Sequence, residues 1–261
     1  MQKHDMRNRE LLLIIDEARR GVENMAIDVA LAKAVGKEYL PLTVRLYGWL
    51  KPTLSLGKLQ KLDDVNLEYL KREGIDIVRR PTGGTAVLHE DEITYCFCLP
   101  GTSPWGKYRS QKIYLEISRL LCTSLRMLEI PAEIHEKAKY RRSVACYATT
   151  SKFEITLFGR KLVGSAQYRT RDFVLQHGSI PLKLDLERYM HCFKNPDSSI
   201  RNRIITLSEI SKNVEKEELA MSIKAAAEKL LNVDVKISRE LPPLIFEQMK
   251  CVEDFHIPVN E

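Results

Sequence analysis

The residues from 79 to 89 read Arg-Arg-Pro-Thr-Gly-Gly-Thr-Ala-Val-Leu-His and form the most distinctive polar stretch of the chain. Two adjacent arginines can bind an anionic or carbonyl-rich group. The adjacent glycines, Gly83 and Gly84, allow the backbone to come close to a ligand. A Gly-Gly pair that follows a strand is nevertheless more often a simple turn. The stretch therefore predicts a loop, and ligand binding is one of two interpretations of it.

A cysteine and a lysine later in the chain have side chains that suit acyl chemistry. Cys146 lies in the segment 137–150, which is rich in Lys, Arg and Ser and has no hydrophobic periodicity, so we expect a long functional loop there. A thiolate is a strong nucleophile, and a nearby cation lowers the pKa of the thiol. Taken alone, however, a cysteine such as Cys146 is more often a small packed residue, and a hairpin lysine such as Lys161 is more often solvated. Both interpretations stay open at this point.

The remaining cysteines and the histidines give no metal signal. Six cysteines occur in the chain without a Cys-x-x-Cys pair or a zinc-finger spacing, so we expect free thiols and no bound metal. Cys96 and Cys98 alternate along one predicted strand, and we interpret them as small strand residues. His89 and His177, taken singly, are more often structural than acid-base groups.

Composition limits the classes of protein that the chain can belong to. The 261 residues include 41 basic and 35 acidic side chains, a net charge of +6, and 44% of the residues are apolar. The basic residues form no long run and are not interleaved with aromatics, so we expect no nucleic-acid partner. No apolar run approaches the roughly 20 residues of a membrane span, and Leu11 to Ile15 is too short for a secretory segment. We expect a cytoplasmic protein without a membrane partner.

The N-terminal half alternates between helical and strand periodicities. Apolar residues recur at helical spacing from Val22 to Lys33, and Leu42, Val44 and Leu46 alternate with polar residues as in a half-buried strand. Asp63 is a predicted N-cap of a helix that runs to Lys71. Two strands, 74–78 and 93–99, are predicted to flank the Arg79–His89 loop.

The C-terminal half becomes helical after Pro181. The pattern predicts a helix at 110–128, a hairpin at 152–167, a strand at 173–180, helices at 185–192 and 215–231, a short helix with a Thr206 to Glu209 capping box, a strand after Val233 and a last helix near 243–249. We predict one α+β domain over residues 1–261 with mostly antiparallel or mixed sheets flanked by helices. Its core covers about 20–185, and the helical part 186–261 packs on it.

Several ordered motifs resemble the biotin/lipoate protein ligase superfamily. They are the runs 79–89, 159–167 (Gly-Arg-Lys-Leu-Val-Gly-Ser-Ala-Gln) and 175–180 (Leu-Gln-His-Gly-Ser-Ile), supported by 21–30, by 45–60 with its Ser-Leu-Gly, and by 143–147. The resemblance is continuous over roughly residues 20–185. Within the superfamily, the sequence is most similar to the branch of cysteine-dependent octanoyltransferases.

The resemblance implies a reaction and a set of site residues. Octanoyl would pass from acyl carrier protein to a lysine of a lipoyl domain, with the glycine cleavage H protein as the expected acceptor, and no cofactor would be needed. By position, Cys146 would be the nucleophile that forms a thioester, and Lys161 would contact the acyl carbonyl. The implied substrate-binding residues are Arg79, Arg80, Gly83, Gly84, Thr85, Ala86, His89, Gly164, Ser165, Ala166 and His177. We expect an apolar slot near Gly83 and Gly84 and a monomeric protein.

Three other functions stay open on the sequence. An ATP-dependent lipoate ligase is disfavoured because Thr85 stands where those ligases usually have a third glycine, and Glu90-Asp91-Glu92 replaces their Gly-Asn pair. The sequence barely distinguishes the octanoyltransferase from an amidotransferase that moves an acyl group between lipoyl-bearing proteins. A non-catalytic acyl-binding relative would not need Cys146 and Lys161, so the presence of both disfavours it.

Overall fold

The computed structural model describes residues 10–135, 152–249 and 252–257. The strands are β1 (Glu10–Arg19), β2 (Leu42–Trp49), β3 (Thr53–Leu56), β4 (Asp76–Arg79), β5 (Val87–His89), β6 (Glu92–Pro100), β7 (Glu133–Ile134), β8 (Ile155–Leu157), β9 (Arg160–Arg169), β10 (Phe173–Pro181) and β11 (Asp234–Ser238). The α-helices are α1 (Gly21–Gly36), α2 (Leu67–Arg72), α3 (Ser110–Met127), α4 (Leu186–His191), α5 (Lys216–Leu231) and α6 (Pro243–Gln248). Short 3-10 helices cover Ser198–Asn202, Ser208–Ile210 and Val252–Phe255.

The strands form one large and one small mixed sheet. The large sheet has eight strands in the order β11-β1-β2-β6-β10-β9-β8-β7, in which β1 is parallel to both of its neighbours and the other pairs are antiparallel. The small sheet has the order β4-β3-β5. The predicted class, mixed sheets flanked by helices, is confirmed.

Helices cover both faces of the large sheet. Ile27 and Leu31 of α1 pack on one face with Leu175 of β10. On the other face, Ile117 of α3 and Ile223 of α5 share a core with several strands. A third core joins the small sheet to α2 and α4.

Coverage of both faces explains two differences between the predicted and the observed strands. Strand β2 is not half-buried, because the side chains of Thr43, Arg45 and Tyr47 are fully enclosed beneath α1. Strand β1 was missed because its apolar run Leu11 to Ile15 does not alternate. A strand that is buried on both faces gives such a continuous apolar run.

Two local predictions around the small sheet were also wrong. Helix α2 begins after Asn66, whose side chain accepts a hydrogen bond from the backbone N–H of Tyr69 at 3.1 Å, so Asp63 is not its cap. The Arg79–His89 stretch is not a single loop between two strands. Its last residues form β5, which pairs with β3 in the small sheet, while β6 belongs to the large one.

The predicted hairpin at 152–167 is present, and its turn is formed by Phe158 and Gly159, which both have positive φ. Among the described residues, no helix is both long and apolar enough to cross a membrane.

Candidate functional site

A cleft opens where the two sheets and α1 meet. Its wall includes six of the predicted binding residues: Arg80, His89, Gly164, Ser165, Ala166 and His177. The remainder of the wall is largely apolar or aromatic, with Met25, Tyr47, Trp49 and Val87. A concave, mostly apolar cleft with a few convergent polar groups is typical of small-molecule sites.

The structure places the other predicted binding residues outside this wall. The guanidinium of Arg79 donates to the backbone carbonyls of Gly57 and Gln60 at 2.9 and 2.7 Å. Gly83 and Gly84 are exposed on a loop, and Ala86 is buried in the core of the small sheet. The cleft therefore lies against the strand that carries Gly164 to Ala166, and Gly83 and Gly84 are not in its wall.

Arg80 ties that loop to the wall of the cleft. Its guanidinium donates to the carbonyls of Ser55, Gly83 and Thr85 at 2.8 to 2.9 Å. Thr85 thus contributes a backbone carbonyl to this network. The arginine pair does meet a carbonyl-rich group, but the carbonyls belong to the chain itself.

His177 joins helix α1 to the same loop. Its Nδ1 lies 3.0 Å from the carboxylate of Asp28, and its Nε2 lies 2.8 Å from the hydroxyl of Thr82. Asp28 also accepts hydrogen bonds from Arg45 and Tyr47, each at 2.9 Å. Burial is the largest influence on His177 and lowers its pKa, although Asp28 opposes this.

A second hydrogen-bonded chain crosses the wall of the cleft. The hydroxyl of Ser55 lies 2.7 Å from Nε2 of His89, and Nδ1 of His89 lies 2.8 Å from the carboxylate of Glu92. The ring of Trp49 stacks on that of His89, with 4.1 Å between the centroids. Burial raises the pKa of Glu92, but His89 and the hydroxyls of Ser179 and Thr94 outweigh it, so the net pKa is lowered.

Lys161 is a buried residue of β9 and is not part of the described cleft wall. Its ammonium donates to the carboxylate of Glu154 at 2.6 Å, and both side chains are almost fully enclosed. Nearby, the hydroxyls of Tyr95 and Ser165 lie 2.6 Å apart.

Cys146 lies outside the described residues, in the segment 136–151. The chain reaches this segment from His135 and returns from it at Lys152. His135 is anchored there, because its N–H donates to the carbonyl of Glu154 at 2.8 Å and its carbonyl accepts from the N–H of Phe153 at 2.7 Å. The described residues on either side of this segment, His135 and Phe153, are thus paired with one another next to Glu154, the partner of Lys161.

The described cysteines form no disulfide, although the Sγ atoms of Cys96 and Cys98 lie 3.7 Å apart. Cys96, Cys98, Cys122 and Cys192 are free and buried. Within the described parts of the chain, no three His, Cys, Asp or Glu side chains come together as a possible metal site.

The sequence did not predict a role in the site for four residues, which are Ser55, Asp28, Glu92 and Glu154. The first two lie inside runs that carry the family resemblance, and Glu92 was noticed only as a departure from the ligases. Motif position could have drawn attention to them, but only the fold shows that they meet His89, His177 and Lys161.

The arrangement of sheets, helices and cleft defines the lipoate-protein ligase fold. A crystal structure of lipoate-protein ligase A bound with ATP superposes with a TM-score of 0.77 at 19% identity and covers 94% of both chains. A bipartite lipoate protein ligase from Thermoplasma acidophilum superposes with a TM-score of 0.73 at 18% identity, over 94% of this chain and 92% of that one. These similarities establish the fold.

The chain belongs to the lipoyl protein ligase A/B catalytic domain family, whose model matches residues 20–228. Among curated proteins, Octanoyltransferase LipM of Geobacillus kaustophilus is 37% identical over an alignment of 228 positions that covers 80% of this chain and 82% of the relative. Octanoyltransferase LipM of Moorella thermoacetica is 41% identical over 187 residues, 70% of this chain and 68% of the relative.

Proposed function

We propose that this protein transfers octanoyl groups in lipoate biosynthesis by way of a thioester on Cys146. The protein is an acyltransferase, as its relatives named Octanoyltransferase LipM are. The donor is octanoyl-acyl carrier protein, and the acceptor is a lysine of a lipoyl domain, specifically the glycine cleavage H protein. The protein acts as a monomer in the cytoplasm.

The chemistry of the two steps requires no ATP and no other cofactor. The octanoyl group on the carrier thiol is already activated, and its exchange onto a protein thiol is close to thermoneutral. Attack by the lysine amine then converts a thioester into a more stable amide. A cysteine suits both steps because its thiolate is a good nucleophile and a good leaving group.

The observation that carries the proposal is the buried Lys161–Glu154 pair, which lies beside His135 and Phe153, the described residues on either side of the segment that contains Cys146. Isolated lysines are rarely enclosed, and the Glu154 carboxylate, 2.6 Å from the ammonium, stabilises the charge on Lys161. A positive charge held there favours the thiolate and stabilises the oxyanion of the acyl-transfer intermediates.

The cleft supplies the binding site for the octanoyl chain in this proposal. Gly164 and Ala166 line it and follow Lys161 by three and five residues along the same strand, so the acyl carbonyl and the chain can be held by one element. Arg80, His89 and His177 form its polar margin, whereas Arg79, Gly83, Gly84 and Thr85 shape the loop beside it.

The test uses purified protein, octanoyl-acyl carrier protein and apo glycine cleavage H protein without ATP. Intact mass should show an octanoyl adduct on the wild type, its loss when the H protein is added, and no adduct on Cys146→Ser. We expect Lys161→Met to slow transfer by about 100-fold or more, because it removes the group that stabilises the oxyanion.

Two results would contradict the proposal. Attachment of free octanoate or lipoate only when ATP is added would replace the transferase with a ligase. Transfer at the wild-type rate by Cys146→Ser would exclude the thioester. Lys212→Met, which removes a half-exposed lysine that pairs with Glu129, is the matched control and should leave the rate unchanged.

A further inference from the structure

Ser55, His89 and Glu92 have the mutual geometry of a nucleophile, a general base and the carboxylate that orients it. The hydroxyl of Ser55 is 2.7 Å from Nε2 of His89, and Glu92 is 2.8 Å from Nδ1. A hydrogen-bonded Ser–His–carboxylate chain recurs on unrelated folds and is recognised by geometry, not by sequence position. Here the three residues come from β3, β5 and β6 and thus from both sheets.

The surrounding donors determine the direction of each hydrogen bond. The Glu92 carboxylate accepts from the hydroxyls of Ser179 and Thr94 and from the indole N–H of Trp49, so it is held as an ionised acceptor. His89 must therefore donate through Nδ1–H and keep Nε2 free to accept.

The same reasoning orients the hydroxyl of Ser55. A guanidinium can only donate, and Nη1 of Arg80 lies 3.2 Å from the Ser55 oxygen. That oxygen accepts from Arg80, so its own proton points to Nε2 of His89. This is the tautomer in which a histidine can take the proton of a serine.

Ser55 and His89 both line the acyl cleft. Ser55 has no exposed surface, inside the cleft or outside it, whereas His89 keeps a small exposed fraction of 7%. A substrate therefore reaches this serine only when the cleft widens. The positive charge of Arg80 beside the hydroxyl favours its ionised form and can stabilise an oxyanion that develops on a neighbouring acyl group.

We propose that Ser55, His89 and Glu92 form a second nucleophilic centre, which hydrolyses medium-chain acyl thioesters and esters in the cleft without Cys146. This activity would release an acyl chain that has entered the cleft but has not been passed to an acceptor lysine.

The reaction balances with water as the co-reactant. Ser55 Oγ bonds to the acyl carbon while its proton passes to His89 Nε2, and the carbon–sulfur bond breaks as His89 returns the proton to the leaving thiolate. Water then attacks the Ser55 ester, again giving a proton to His89. The products are a free carboxylic acid, the released thiol and the unmodified serine.

The experiment uses the full-length Cys146→Ala protein, which lacks the proposed thioester nucleophile. An alkyl fluorophosphonate should label it at Ser55, as located by peptide mass, and it should hydrolyse p-nitrophenyl octanoate and octanoyl-pantetheine. Adding Ser55→Ala should abolish the label, and adding either Ser55→Ala or His89→Asn should lower hydrolysis by about 100-fold or more.

Matched variants separate this role from a structural one. Ser124→Ala removes another buried serine, whose hydroxyl donates to Leu120 within α3, and should change neither label nor rate. Ser55→Cys should lose the fluorophosphonate label and instead retain an octanoyl thioester at residue 55, which remains measurable if Ser55→Ala fails to fold. Hydrolysis that survives Ser55→Ala, or a label at another residue, overturns the proposal. Since the background lacks Cys146, failure of the thioester mechanism would not affect this result.

Discussion

At the scale of single residues, His177 is a histidine that the fold keeps from charging. Burial lowers its pKa below the ordinary 6.5, and Arg80 and His89 lower it further, whereas Asp28 raises it. The unfolded chain therefore binds a proton at this residue more tightly than the folded protein does. By linkage, His177 contributes stability that is complete above 6.5 and is lost as the pH falls toward the folded pKa.

We predict that His177→Gln makes the free energy of unfolding less dependent on pH. The measurement is urea denaturation at pH values from about 7 down to about 5, the range in which an ordinary histidine titrates. The wild type should lose stability across this range more steeply than His177→Gln. His191→Gln, at an exposed histidine of α4, should retain the wild-type slope. Equal slopes for the wild type and His177→Gln would show that another group causes the dependence.

Individual site residues were predictable where a motif contains them, but their partners were not. His89, His177 and Lys161 stand in the runs that resemble the family, and the first two line the cleft. Asp28 precedes His177 by 149 residues, and nothing in the local pattern links them. Arg79 was expected to bind substrate, but it binds backbone carbonyls because the loop 57–60 folds back against it.

At the scale of elements, the loop after β3 and the Gly83-Gly84 loop touch through their backbones. A Cβ on Gly57 would lie 1.9 Å from the carbonyl oxygen of Gly84, whereas a Cβ on Gly83 would meet nothing within 4 Å. The N–H of Lys58 also donates to the carbonyl of Thr82 at 2.8 Å. This contact fixes the position of the segment that holds Arg80 against the cleft.

We predict that Gly57→Ala destabilises the protein by about 2 kcal/mol, since the added methyl group must push apart two backbones. Gly83→Ala makes the same chemical change in the adjoining loop and should leave the stability within about 0.5 kcal/mol of the wild type. Both values come from the midpoints of urea unfolding, compared between variants whose unfolding free energy has the same dependence on urea concentration. Similar losses for the two variants would mean that glycine flexibility, and not the close contact, sets the cost.

Periodicity predicted most helices and strands but not their sheet membership. The amphipathic helix α3 and the hairpin of β8 and β9 have strong local patterns, and both were predicted. Strand β5 has three residues, too few for a period to show, and its partner β3 is some 30 residues earlier in the chain. Sheet membership depends on such distant pairings.

At the scale of the whole molecule, the last elements pack against the first. Strand β11 pairs with β1 in parallel, from Glu10 opposite Asp234 to Ile14 opposite Ser238. Leu241 and Ile245 join the core beneath α1, and the N–H of Ile257 donates to the carbonyl of Ile77 in β4 at 3.3 Å. No local pattern of residues 234–257 indicates these partners, so the sequence predicted only that a strand and a helix occur there.

From this closure we propose that the chain folds as one unit, and we predict a single cooperative unfolding transition. Far-ultraviolet circular dichroism should follow the sheets and helices, while tryptophan fluorescence follows Trp49 at the cleft and Trp105 in the loop after β6. The two midpoints should coincide in urea.

A chain that ends at residue 231 should lose this cooperative transition and aggregate. This truncation removes β11 and so exposes the edge of the buried strand β1. It also removes Leu241 and Ile245, which pack against α1. A chain that ends at residue 257 keeps every element that the structure describes and should unfold as the full chain does. Separate midpoints in the full chain, or a soluble and cooperative 1–231 fragment, would mean that the C-terminal part is a folding unit of its own.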